Sequence, residues 1–86
     1  MDALTAAVDS LVTGIAGDRR TPGIDTVDLA LSDRGVDSMG VVALIAAVER
    51  EFGVLFPAEM LNRRTFVTVA TVAAAVRSLL DPAGGQ

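Results

Sequence analysis

The sequence predicts an all-α domain: an antiparallel bundle of three main helices plus one short helix, with a long loop between helices 1 and 2. Three observations predict it. Apolar residues recur at helical spacing in three separate segments. No segment sustains the alternation of a strand. Glycine and proline fall at the junctions, where helices stop and start.

Residues 2–16 read as the first helix. Leu4, Val8, Leu11, Val12 and Ile15 follow i, i+4, i+7, i+8, i+11 and form a single apolar stripe, with Gly17 as the stop. Residues 17–36 hold Gly17, Pro22, Gly23 and Gly35 and read as a loop, pinned to the helices through Ile24, Val27, Leu29 and Leu31. The second helix runs over 38–52. Leu44, Val48 and Phe52 mark its inward face, and Gly53 ends it. A short third helix of one or two turns is expected over 58–63, after Pro57. Thr68 caps the last helix, which runs to about Leu80 with Val69, Val72, Ala73, Val76 and Leu79 or Leu80 facing inward. Val67-Thr68-Val69 is briefly strand-like but too short to count as one. Residues 1–80 make one domain, a monomer, and residues 81–86, with Pro82, Gly84 and Gly85, a flexible C-terminal tail.

Composition narrows the function. About half of the 86 residues are apolar, enough for a compact core and too many for a disordered chain. The net charge of −4 argues against a nucleic-acid partner, which needs a basic surface. There is no Cys and no His, so thiolate metal sites, disulfides and nucleophile–His catalysis are excluded, and no metal is expected. Asp2 and Asp9 replace the basic start of a secretory signal, and no apolar run approaches the ~20 residues of a membrane span. A soluble, cytoplasmic protein is expected.

The informative junction is Gly35-Val36-Asp37-Ser38-Met39. Serine is a strong helix N-cap, and Ser38 opens an amphipathic helix after a glycine turn, so capping is its plainest role. A helix N-terminus also presents unpaired N–H groups and a partial positive charge, surroundings that favour a phosphate ester. Asp37 would repel such a phosphate, which leaves it recognition or a local backbone bond.

The wider pattern separates these readings. Gly-x-Asp-Ser-Met is followed by an apolar helix ending Glu49-Arg50-Glu51-Phe52-Gly53-Val54, then Phe56-Pro57-Ala58-Glu59 and Phe66-Val67-Thr68-Val69. From about residue 29 to residue 76 the chain resembles the acyl carrier protein and peptidyl carrier protein family. The resemblance implies that Ser38 carries 4′-phosphopantetheine, transferred from coenzyme A by a phosphopantetheinyl transferase that recognises Asp37. It implies a protein that is not itself an enzyme. Its acyl or aminoacyl cargo is held as a thioester on the arm's own sulfur, so the lack of Cys is no obstacle. The implied partners are a dedicated acyltransferase or adenylating ligase, and polyketide synthase or nonribosomal peptide synthetase modules.

The chain departs from the family in two places. Carriers of fatty-acid synthesis usually have an acidic second helix, whereas Met39 through Val48 carry no charge, with Gly40 and Ala43 standing where acidic residues are common. Met39, Val42, Ala43 and Ala46 form an apolar face at the expected docking side, with Glu49, Arg50, Arg63 and Arg64 as its charged neighbours. That pattern points to a carrier of a specialised pathway, such as antibiotic biosynthesis, rather than of fatty-acid synthesis. Arg34 stands where the family usually has Leu, and Leu31 is expected to take over that packing. The competing reading is a non-covalent helical interaction module that uses the face of residues 39–46 and needs no modification at Ser38. A hydrolase built on Ser38 is disfavoured, because its neighbour Asp37 is poorly placed as a base.

Overall fold

The computed structural model describes residues 2–16 and 30–80. Three α-helices carry the fold: α1 (Ala3–Ala16), α2 (Ser38–Phe52) and α3 (Val69–Leu80). Helix α1 packs against both of the others. The stop at Gly17, the pins Ile24, Val27 and Leu29, and the tail 81–86 lie outside the described residues.

Each helix starts at a side-chain cap. Asp2 accepts the Thr5 N–H at 2.8 Å, and Asp37 accepts the Gly40 N–H at 2.8 Å. At α3 the cap is reciprocal: the Thr71 N–H donates to the Thr68 hydroxyl at 3.1 Å, and the Thr68 N–H donates to the Thr71 hydroxyl at 3.0 Å. This is a capping box with threonine in the place usual for glutamate. Helix α2 ends at Gly53, whose φ of 66° lies in the left-handed region, and the Val54 N–H closes back on the Glu49 carbonyl at 3.2 Å.

The stripes read from the sequence converge. Val8 and Val12 of α1, Leu44 and Val48 of α2, and Val69, Val72, Ala73 and Val76 of α3 are buried together. Leu79 is half-buried and Leu80 exposed, so Leu79 closes the α3 stripe. Phe52 is only half-buried, because it sits in the last turn of α2 at the edge of the core. The buried aromatics come instead from irregular segments. Phe56 and Phe66 meet edge to face, with ring centroids 5.4 Å apart. The short helix expected over 58–63 is a single 3₁₀ turn, Ala58–Met60. The chain leaves it because Asn62 starts a turn of its own, its side chain donating to the Glu59 carbonyl and accepting the Thr65 N–H.

The segment before α2 is tied down at both ends. Leu31 is buried as expected, and its N–H donates to the Val67 carbonyl at 2.7 Å. Ala30 and Thr68 form an isolated antiparallel bridge, which is what the strand-like Val67-Thr68-Val69 becomes. A 3₁₀ turn over Ser32–Arg34 then leads into Gly35, at φ 93°. Arg34 does more than yield its packing role to Leu31. Its guanidinium is buried and donates to the Asp9 carboxylate at 2.7 Å and to the Thr13 hydroxyl at 3.3 Å. An ion pair in the interior thus stands where the family usually has an apolar side chain, and it joins the loop to the middle of α1.

Candidate functional site

The junction at Ser38 is built outward from buried anchors. Val36 is buried and its N–H donates to the Leu31 carbonyl at 2.9 Å. The next residue, Asp37, is extended (φ −88°, ψ −172°) and supplies the cap of α2. This corrects the expectation that Ser38 is the cap. Asp37 occupies that position, and Ser38 is the first helical residue. The physical consequence favours modification. A capping serine would spend its hydroxyl on the backbone, whereas the exposed Ser38 hydroxyl has no hydrogen-bond partner among the described residues. Asp37 makes the local backbone bond that its sequence position allowed.

Gly40 fits the same packing. A Cβ there would lie 3.0 Å from Val36 Cγ1 and 3.5 Å from Ile15 Cγ2. A side chain at this position, acidic in many fatty-acid carriers, would therefore require the Val36 side chain to shift by a few tenths of an ångström.

Ser38 borders a groove of about 330 Å³. Val41, Ile45, Leu61 and Phe66 make an apolar wall, and Arg63 stands beside them. A second cavity shares Ser38, Val41, Arg63 and Phe66 and continues past Asp37 and Leu31 toward Val67. Among the residues singled out from sequence, the structure therefore brings Arg63 to Ser38. Arg64 does not line either cavity; it borders a neighbouring hollow together with Asn62, Arg63 and Val67. Met39 and Val42 are 76 % and 62 % exposed, and Ala43 and Ala46 are exposed beside them, so that face of α2 is uncovered. Glu49 is half-buried, its carboxylate accepting the Phe56 N–H at 2.9 Å, so it holds the segment after α2. Arg50 is exposed near the far end of α2, ~18 Å along the axis from Ser38. The wall residues Val41 and Ile45 were not singled out in the sequence. The signal was present, since they follow Ser38 at i+3 and i+7 and share its side of the helix.

This site suits a phosphopantetheine group. It offers an open hydroxyl, a cation for a phosphate and an apolar wall for a thin chain. The chain matches the phosphopantetheine attachment site family (PP-binding) over residues 4–76. It belongs to that family. Members bind a 4′-phosphopantetheine prosthetic group, so this is a carrier protein domain that carries such an arm.

No curated protein is significantly similar to the chain. Among solved structures it resembles a chain of the Bradyrhizobium japonicum glycine:[carrier protein] ligase complexed with glycylated carrier protein. The TM-score is 0.73 and the identity 22 %, covering 86 % of this chain and 99 % of that one. The same ligase complexed with its cognate carrier protein and an analogue of glycyl adenylate gives a TM-score of 0.76 at 22 % identity, covering 90 % of this chain and 99 % of that one. At this identity the likeness is one of fold.

Proposed function

We propose that Ser38 is the attachment point and that the protein carries acyl or aminoacyl cargo, as thioesters, between enzymes of a polyketide or nonribosomal peptide pathway. The exposed hydroxyl at the first position of α2, without a hydrogen-bond partner among the described residues, carries this reading. A phosphopantetheinyl transferase would join the Ser38 oxygen to the phosphopantetheinyl phosphorus of coenzyme A. The Ser38 proton is lost and adenosine 3′,5′-bisphosphate leaves.

When bound, the arm supplies the thiol that holds cargo as a thioester. The chain's own residues do the rest. Asp37 fixes the start of α2 through its bond to Gly40, which presents Ser38 in one orientation to the transferase. Leu31 and Val36 anchor the turn. The protein catalyses nothing itself and acts by tethering, which raises the concentration of cargo at each partner's active site. Met39, Val42, Ala43 and Ala46 form the docking face, so partner enzymes meet it mainly through apolar contact and shape. An adenylating ligase that loads an amino acid is the favoured loading partner, in keeping with the ligase complexes that share this fold.

Incubating the protein with coenzyme A and a promiscuous transferase should add the mass of one phosphopantetheine. Ser38→Ala should abolish the gain, while Met39→Asp and Val42→Asp should accept the arm and lose transfer to the partner enzyme. Unmodified wild-type protein after treatment with several active transferases would overturn the assignment. Full function of Ser38→Ala in the producing cell would favour the non-covalent interaction module instead.

A further inference from the structure

The sequence groups Arg63 with Arg64 at the docking face; in the structure both border one hollow, and Arg63 alone of the two also lines the cavities at Ser38. It lines two adjoining cavities with the serine, one reaching Ile45 and Leu61 and the other reaching Leu31 and Val67. The turn that presents it is braced. Asn62 accepts the Thr65 N–H at 3.0 Å and donates to the Glu59 carbonyl, and the Phe66 N–H donates to the carbonyl of Arg63 itself at 3.2 Å. Phe66 in turn is buried against Phe56. The backbone carrying this guanidinium is therefore fixed relative to the mouth of the groove.

The charges around the groove leave Arg63 without a role of the ordinary kind. The ion pairs among the described residues are Arg34 with Asp9 and Arg77 with Asp2. Arg63 has no carboxylate within pairing distance among the described residues, and it is the one cation among the residues lining the groove. The nearby anion is Asp37, next to Ser38 in the chain and engaged with Gly40. A phosphodiester formed on Ser38 would add a second negative charge next to Asp37. It would emerge into the cavity that Arg63 borders.

We propose that Arg63 is the phosphodiester-binding residue of the arm, and that this contact lays the arm along the apolar wall of Val41, Ile45 and Phe66 instead of over the exposed α2 face of Met39 and Val42. The proposal rests on Ser38 being the attachment point. Its consequence is a division of labour between the two sides of α2. The groove side stores the arm, and the Met39–Val42 side stays free for partners. A guanidinium suits this task, since its planar fork pairs with two phosphate oxygens at once. The pair is solvent-accessible, so it is worth little in energy and is screened by salt. A weak contact of that kind lets a partner draw the arm out of the groove.

The test uses the full chain in its modified form, with intact mass read first. The mass gain of wild type, Arg63→Gln and Arg64→Gln establishes that the arm is attached; its absence in all three would overturn the Ser38 reading and the proposal with it. On the modified proteins, phosphorus NMR and proton NOEs from the arm's methyl groups to Phe66 and Val41 are then recorded at low and high salt. Wild type and Arg64→Gln should show a phosphorus shift that moves with salt and NOEs to Phe66 that fade at high salt. Arg63→Gln should lose both the salt-dependent shift and the NOEs at low salt while keeping the wild-type helical spectrum. Identical phosphorus shifts and NOEs in Arg63→Gln and wild type would overturn the assignment of Arg63, with the attachment at Ser38 left standing.

Discussion

Replacing Arg34 by methionine tests what holds the turn before Ser38. Methionine matches the apolar stem of arginine and removes the charged head. Both side chains of the pair are 6 % exposed, and the guanidinium sits 2.7 Å from the Asp9 carboxylate. The substitution takes away a cation that pairs with the carboxylate in the interior. Removing one member of a buried ion pair costs ~3–5 kcal/mol. A small domain has on the order of 5–10 kcal/mol in all, so Arg34→Met should lose a third of it or more. The midpoint of thermal unfolding should fall by more than ~10 °C, given ~4–8 °C per kcal/mol at this size. Urea unfolding followed by far-UV circular dichroism measures the change. The reciprocal Asp9→Asn should be destabilised in the same direction. The double variant Asp9→Leu with Arg34→Leu should return close to wild type, because apolar packing replaces a buried pair at little or no cost. A single Arg34→Met within ~0.5 kcal/mol of wild type, or a double variant as weak as the singles, would refute the reasoning.

Two further outcomes follow from the packing and the caps. Phe66→Ala should cost ~3–5 kcal/mol, since the ring is buried against Phe56, and the half-buried Phe52→Ala only about 2; equal losses in urea titrations would show that the aromatic core has been placed wrongly. Hydrogen bonds from Thr5 hold the Asp2 carboxyl below its ordinary value of 3.8, helped by the charge of Arg77. A depressed folded-state value means that the carboxylate adds stability above pH 3.8 and that this contribution is lost as the pH falls through the folded value. Asp2→Asn keeps a capping oxygen and removes the charge, so the wild-type advantage in unfolding temperature should be present at neutral pH and vanish in acid; an advantage that persists in acid would exclude the charge as its source.

How much could be read in advance follows from the range of each interaction. The three helices were legible because their signals are local: a repeating apolar stripe, a capping residue and a stopping glycine each lie within a few positions of one another. Thr68 as cap, Gly53 as stop and the stripe of Val69, Val72, Ala73 and Val76 needed no tertiary information. The third segment was overread because Pro57 and the residues after it suit a helix start. One Asx turn at Asn62 was enough to divert the chain after a single 3₁₀ turn. Ser38 was misread as a cap for a similar reason. Asp37 and Ser38 are both good caps one residue apart, and only the backbone angles at Asp37 decide between them.

The amino-acid sequence by itself determined that this protein is a helical carrier, because the pattern around Asp37-Ser38 and the helix stripes are written in consecutive residues. Tertiary structure alone decided which side chains meet. Arg34 reached Asp9 across 25 positions and forms a buried ion pair that the sequence did not report. Arg63, one residue from Arg64, came to lie beside Ser38 while its neighbour did not. Those pairings depend on how a braced loop and two helices close in space. Their partners lie too far apart in the chain for spacing or periodicity to report them.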